Sequence, residues 1–183
     1  APVTSRLHGA QITASAPYIA EMVRQQMVER FGEEVAYTEG FKVYTTINSK
    51  EQALARRALQ QNLYDYDERH GYRGPEAHLW QAKLAEQQAD EPVFIETERP
   101  DDAEIISYLD RQQGIEDLVP AVVLQVNQQS ALVMLKGGQQ QTLTWDGLKW
   151  ARSYISDERQ GVAPKSAAAI LQPGMHILVR QQN

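Results

Sequence analysis

The chain has 183 residues, of which 42% are hydrophobic, it carries a formal net charge of −6 at pH 7, and it contains no cysteine. This length and apolar content suit one large or two small domains with packed cores, and the missing cysteines exclude disulfides and thiolate metal sites. Because the Lys and Arg residues are scattered and outnumbered by Asp and Glu, 18 against 24, the charge pattern argues against nucleic acid as a partner.

The first predicted element is a helix over residues 15–31. Ser15 is a candidate N-cap, and Pro17 suits the first turn of a helix because its fixed φ is already helical. The apolar residues that follow have helical spacing and form one stripe, in which Met22 and Met27 are expected to be core residues.

A strand and a second helix are predicted next. Residues 40–47, GFKVYTTI, are rich in aromatic and β-branched residues and therefore predict a strand. Asn48 stands three residues before Glu51, as in a capping box, and marks the start of a helix. Apolar residues recur along this helix at Ala55, Leu59 and Leu63. The first third of the chain is thus predicted to be helix, strand and helix.

A domain boundary is predicted in residues 64–75, YDYDERHGYRGP, which are polar and have neither a helical nor a strand period. This divides the chain into a linker, residues 1–63, and a second domain, residues 64–183. Two further helices are predicted over residues 76–90 and 101–113. Asp101 is the candidate N-cap of the latter.

The remainder predicts a small β module. Strands are predicted over residues 120–127, 130–136, 139–145, 148–150 and 175–180. Gly137 and Gly138 supply the positive φ angles of a tight turn. The fold class is therefore α+β, with a helix-strand-helix linker, further helices and a small, partly open OB-like barrel. Because the chain stops soon after its last predicted strand, we expect the barrel to be truncated before the strand that would close its edge.

The polar segment also holds a group of possible metal ligands, namely Asp65, Asp67, Glu68 and His70. Their spacing lacks the glycine and the distal glutamate of a calcium loop, so a solvated turn is the simpler interpretation. We expect neither a metal nor a cofactor.

Six residues are candidates for contacting a partner: Arg69, Tyr72, Arg73, Trp145, Trp150 and Arg152. Arginine and aromatic residues are common interface anchors, although Arg69 can equally pair with a neighbouring acid and hold its loop. Trp145, Trp150 and Tyr154 are suited to stacking on sugar rings, and packing on the barrel is their alternative role.

Four segments, in this order, make the chain similar to a known family. They are residues 16–23, APYIAEMV; residues 43–47, VYTTI, followed by QALA; residues 64–75, YDYDERHGYRGP; and residues 146–152, DGLKWAR. Together they resemble the middle of a class A, bifunctional penicillin-binding protein of the 1a subgroup, and the resemblance spans nearly the whole chain.

This resemblance implies a linker plus an OB-like insert between a glycosyltransferase and a transpeptidase domain. The parent would be a periplasmic enzyme, anchored in the inner membrane, that polymerises lipid II and cross-links its stem peptides. The implied partners are an outer-membrane lipoprotein activator and the catalytic domains of the same parent, with peptidoglycan as a further candidate. We expect the acidic stretch over residues 86–117 to favour a partner with a basic face.

Neither catalytic centre of that family is expected in this chain. No lysine is preceded by serine at the spacing S-x-x-K, which the transpeptidase nucleophile needs, and the S-x-N element is also missing. Lys165-Ser166-Ala167 has alanine where the family's K-[ST]-G has glycine. Glu116-Asp117 lacks the Phe and His of the glycosyltransferase motif E-D-x-x-F-x-x-H. We therefore predict no catalytic residue.

A freestanding OB module that binds nucleic acid is the alternative, because residues 171–175, LQPGM, resemble the strand entry of S1-type domains. Single-strand binding grooves combine basic side chains with stacking aromatics. Residues 121–144 contain one lysine and no aromatic residue, so this alternative has little chemical support.

Overall fold

A computed structural model describes residues 15–85 and 91–180, and by internal contacts the chain divides into two compact units, Ala1–Tyr64 and Asp65–Asn183. Mixed helices and strands confirm the α+β class. No helix in the described part of the chain is both long and apolar enough to cross a membrane.

The first unit is helical. Its elements are α1 (Pro17–Phe31), α2 (Glu33–Thr38) and the start of α3 (Ser49–His70). Pro17 begins α1, as predicted, but this places Ala16 rather than Ser15 at the N-cap, with no side-chain hydrogen bond. The prediction of Ser15 as the N-cap was therefore wrong by one residue. Gly32, with φ 80°, ends the helix and donates its N–H to the carbonyl of Val28.

The apolar stripe of α1 is not a core within the described residues. Met22 is 59% exposed, Met27 is half-buried, and α1 buries none of its residues. The core assignment of both methionines was therefore wrong. Helical periodicity fixes which residues share a face, but it does not supply a surface to cover that face.

Residues 40–47 form no strand, contrary to prediction. Among the described residues no second strand pairs with this segment, and an isolated strand has no partners for its backbone hydrogen bonds. Phe41 instead stacks on Phe31, with ring centroids 4.9 Å apart. The composition favoured a strand, but strand formation also requires a neighbour.

The cap of α3 is confirmed. Asn48 Oδ1 accepts hydrogen bonds from the backbone N–H groups of Lys50, at 2.9 Å, and Glu51, at 3.4 Å. The helix continues to His70, so the first part of the predicted loop over residues 64–75 is helical. Extending an existing helix costs far less than starting one, and a polar segment without apolar period can therefore continue it.

The second unit holds all the strands of the described chain. In order, they and the helices among them are β1 (Ala77–His78), β2 (Gln81–Leu84), β3 (Phe94–Thr97), α4 (Asp102–Arg111), β4 (Leu118–Val126), β5 (Ser130–Leu135), β6 (Gln140–Thr144), α5 (Trp145–Leu148), β7 (Tyr154–Ser156), β8 (Arg159–Gln160) and β9 (Met175–Arg180). Helix α4 and strands β4, β5, β6 and β9 are confirmed predictions.

In the second unit, two predicted elements are wrong. The helix over residues 76–90 is replaced by β1 and β2, because β1 pairs with β9 and β2 pairs with β3; residues 86–90 lie outside the described residues. The strand over residues 148–150 is replaced by α5 and the turn after it. The first error arose because pairing with strands distant in sequence overrode local helix propensity.

The main sheet is antiparallel, with strand order β1-β9-β4-β5-β6, and it does not close. This open edge agrees with the predicted partly open barrel. Gly137 and Gly138, with φ 80° and 82°, form the predicted turn between β5 and β6.

Both faces of the sheet are covered. Val122 and Val123 are each fully buried, but they belong to two different clusters because successive side chains of a strand point to opposite faces. One cluster consists mainly of Ala121, Val123, Ala131, Val133, Leu148, Leu171 and Ile177. The other joins α4 and Trp80 to the sheet and contains Ile105, Leu109, Val122, Leu124 and Met134. This double burial explains why β4 is apolar without alternation.

Candidate partner-binding surface

The segment after α3 is fixed by backbone hydrogen bonds to the segment before β7. Tyr72 N–H donates to the carbonyl of Arg152 at 2.7 Å, and Tyr154 N–H donates to the carbonyl of Tyr72 at 2.9 Å. Gly71, with φ +102°, allows this approach, since a Cβ there would lie 2.7 Å from the Arg152 carbonyl oxygen. Two loops far apart in sequence therefore form one rigid platform.

Aromatic rings lie on this platform. The rings of Tyr72 and Trp150 meet edge to face, with centroids 6.5 Å apart and an angle of 84°. Trp150 is 37% exposed and donates its indole N–H to the carbonyl of Gly147 at 3.0 Å. Burial, with a smaller effect from the charge of Glu76, raises the pKa of Tyr72 to about 12, so its hydroxyl stays neutral.

Arg73 completes the platform. Its guanidinium binds Asp67 Oδ1 at 2.6 Å and lies over the ring of Tyr154, 4.6 Å from the centroid. The hydrogen bond from Arg73 to Asp67 raises the pKa of the guanidinium, which remains charged. Tyr154 in turn donates its hydroxyl to Asp157 Oδ1 at 2.9 Å. We call Tyr72, Arg73, Trp150, Arg152 and Tyr154 the aromatic–arginine surface.

The six predicted contact residues do not all meet there. Tyr72, Arg73, Trp150 and the exposed Arg152 belong to the aromatic–arginine surface. Trp145 is half-buried in α5 and packs on the cluster that contains Val133. Arg69 is exposed on α3, and its carbonyl accepts a hydrogen bond from the side chain of Gln160.

The structure bears on two alternatives that the sequence left open. In this segment Arg73 pairs with Asp67, and the pairing considered for Arg69 stays a prediction. Of the three residues considered for sugar stacking, Trp145 packs against the core, whereas Trp150 and Tyr154 lie on the aromatic–arginine surface. Gln160 was missed because the β7–β8 hairpin has no apolar alternation by which to predict it.

The possible metal ligands are spread along the end of α3 rather than around a turn. Asp67 is paired with Arg73. His70 Nδ1 lies 2.6 Å from the carbonyl oxygen of Tyr66, and the imidazole ring of His70 stacks on the ring of Tyr66. Within residues 15–85 and 91–180, no group of three or more His, Asp or Glu side chains has the arrangement of a metal site.

Comparison with known proteins identifies relatives. Residues 72–183 match the family described as "Penicillin-binding protein OB-like domain". The chain is 45% identical to Penicillin-binding protein 1A of Vibrio cholerae and 40% identical to that of Escherichia coli, over 98% of its own length in both cases. It spans only 20% and 19% of those two proteins.

A solved structure is also similar to this chain. The crystal structure of Penicillin-Binding Protein 1A from Haemophilus influenzae matches 94% of this chain and 22% of its own, with a TM-score of 0.65 and 36% identity. The resemblance noted in the sequence and the OB-like character of the second unit are therefore confirmed.

Proposed function

The chain belongs to the family of penicillin-binding protein OB-like domains, and from this premise we propose that it is the non-catalytic linker and docking region of a bifunctional peptidoglycan synthase. Since the chain spans about one fifth of its curated relatives, polymerisation of lipid II and peptide cross-linking would belong to other parts of the parent. The sequence lacks S-x-x-K and the glycosyltransferase motif, which supports this division. The parent would be periplasmic and anchored in the inner membrane.

The proposal assigns separate roles to two regions. Residues 1–63 would connect the catalytic domains, and residues 64–183 would dock an outer-membrane lipoprotein activator. The observation that carries the docking role is the aromatic–arginine surface, where two arginines, the exposed Trp150 and two half-buried tyrosines stand on a backbone fixed by two hydrogen bonds. Tryptophan, tyrosine and arginine dominate binding energy in protein interfaces, and a rigid platform reduces the entropy lost on binding.

Docking can be tested by titrating isotope-labelled protein with the soluble domain of the cognate lipoprotein and following backbone amides by NMR. We expect shifts around residues 70–74 and 150–155. Replacing Trp150 or Arg73 by alanine should weaken binding about tenfold, or ~1.4 kcal/mol. Arg111→Ala, which removes an exposed arginine on α4, serves as the matched control.

Two outcomes would contradict docking at this surface. The first is a folded sample whose amides do not shift when the lipoprotein is added, which would indicate that the region acts only as a spacer. The second is equal weakening by Arg111→Ala and Arg73→Ala. Peptidoglycan is the second candidate ligand, because Trp150 and Tyr154 lie on one surface. It is tested by a parallel titration with soluble glycan strands. Amide shifts with glycan, but not with the lipoprotein, would indicate that this surface binds peptidoglycan.

A further inference from the structure

A second feature of the OB-like unit lies between the end of α4 and the β1 side of the sheet. It is an open cleft of about 270 Å³, lined by Glu76, Ala77, Tyr108, Gln112, Gln113, Ile115, His176 and Leu178. None of these residues belongs to the aromatic–arginine surface. The volume is below the ~300–1,000 Å³ typical of small-molecule sites, which suits a single side chain.

The lining carries negative charge and no positive side chain. Glu76 is exposed, its N–H is fixed by a hydrogen bond to the carbonyl of His176 at 2.8 Å, and its charge acts on both Tyr108 and His176. Lys136 lies at the α4 end of the cleft, where its ammonium donates to the backbone carbonyls of Asp110 and Gln112, and Arg180 pairs with Glu68 at 3.7 Å.

His176 contributes polarity without positive charge. It is 5% exposed, its Nδ1 shares a hydrogen bond of 3.1 Å with the Tyr108 hydroxyl, and its Nε2 has no partner among the described residues. Burial lowers the pKa of His176, an effect that the charge of Glu76 opposes, and the ring is therefore neutral at pH 7. Gln112 and Gln113 add amide groups to the same rim, each with an acceptor oxygen and N–H donors, and Gln112 Nε2 donates to the carbonyl of Tyr108 at 3.4 Å.

We propose that this cleft binds the cationic head of an arginine or lysine side chain presented by a partner polypeptide. The carboxylate and the two amide oxygens offer acceptors and negative charge, which match the donors and charge of a guanidinium or ammonium group, and His176 Nε2 is a further acceptor in the tautomer that carries its proton on Nδ1. The same set would repel an anion. The inference deepens the proposed docking function and rests on it for the identity of the partner.

The cleft can be tested without a partner protein. The full chain, isotope-labelled, is titrated with N-acetyl-arginine methylamide and, separately, with the citrulline analogue, which has nearly the same shape but no charge. We expect the arginine compound to shift the amides of Gln112, Gln113 and His176, and the citrulline compound to bind at least fivefold more weakly. Glu76→Gln should cause a similar loss, whereas Glu158→Gln, at an exposed glutamate on the β7–β8 turn, should cause none.

The results separate this proposal from docking itself. Equal shifts with arginine and citrulline compounds, or no shifts in the cleft, would overturn it even if the lipoprotein binds elsewhere. Selective arginine binding that Glu76→Gln abolishes would support it even if the lipoprotein does not bind. The comparison of the two probes requires no variant, so it remains decisive if a substitution disturbs the fold.

Discussion

Among the glycines of the described residues, Gly174 is the one where an added Cβ would make the shortest contact. Its φ is +89°, and a Cβ would lie 2.5 Å from the carbonyl oxygen of Trp80 and 2.9 Å from its indole. Trp80 is 4% exposed and belongs to the cluster under α4, so it has little room to move. By contrast, a Cβ at Gly147 in α5 would meet nothing within 4 Å.

Gly174→Ala is therefore expected to lower the free energy of unfolding by about 2 kcal/mol, because it combines a left-handed backbone with a close contact. Urea denaturation followed by circular dichroism measures this change. Gly147→Ala is the matched control and should leave the midpoint nearly unchanged. Similar midpoints for both variants would mean that the Trp80 contact relaxes without cost.

Individual residues were predictable from sequence where a local rule governs them. Asp101 as a cap and Gly137-Gly138 as a turn follow from short-range backbone geometry, and the structure confirms both. The separation of Trp145 from Trp150 was not predictable in the same way. They are five positions apart in the sequence, but Trp145 is the first residue of α5 and packs on the core, whereas Trp150 follows this helix at an exposed position.

Among the elements, helix α4 has defined hydrogen bonds at both ends. Glu104 N–H donates to Asp101 Oδ1 at 2.8 Å, and Asp101 N–H donates to Glu104 Oε2 at 3.2 Å, which forms a reciprocal capping box. At the other end the ammonium of Lys136 binds the carbonyl oxygens of Asp110 and Gln112. These contacts compensate the unpaired groups of the first and last turns.

Asp101→Ala should destabilise the protein by about 1 kcal/mol, because it leaves the N–H of Glu104 without its acceptor. Asp101→Asn keeps an acceptor of the same shape and is the control, with an expected loss below ~0.5 kcal/mol. Thermal unfolding monitored by circular dichroism compares the two. Equal losses would show that charge, rather than the cap geometry, stabilises this helix.

At the element scale, prediction succeeded where neighbours in sequence are also neighbours in space. Strands β4, β5 and β6 form consecutive hairpins, so their apolar runs and the Gly137-Gly138 turn were sufficient. Residues 40–47 had a similar composition but gained no neighbouring strand in the described chain. The helix predicted over residues 76–90 was wrong for the opposite reason, because this segment did gain a neighbouring strand. Strand β1 pairs with β9, about a hundred positions later, and no local pattern reveals such a partner.

At the scale of the whole molecule, burial of His176 between α4 and the sheet makes folding sensitive to pH. Burial lowers the pKa of His176 in the folded protein, whereas the unfolded chain titrates near the ordinary value of about 6.5. Above that value both states are neutral, and His176 contributes no pH dependence. Below it the unfolded state takes up a proton first, so stability falls until pH drops below the folded pKa.

We therefore expect the free energy of unfolding to decrease as pH falls from 7.5 to 5.5, and His176→Gln to flatten that decrease. The measurement is urea denaturation at several pH values within this range. His78→Gln, which replaces an exposed histidine on β1, is the control and should retain the slope. A slope unchanged by His176→Gln would assign the pH dependence to other groups.

The tryptophans are unevenly distributed between the two units, so tryptophan fluorescence reports on only one of them. All three tryptophans belong to the second unit, and each is in a different environment: Trp80 beneath α4, Trp145 on the opposite face of the sheet, and Trp150 on the aromatic–arginine surface. Tryptophan fluorescence therefore gives no signal from residues 1–64. Single-tryptophan chains can distinguish the helix layer, the opposite core and the aromatic–arginine surface in solution, whereas the first unit needs an added fluorophore.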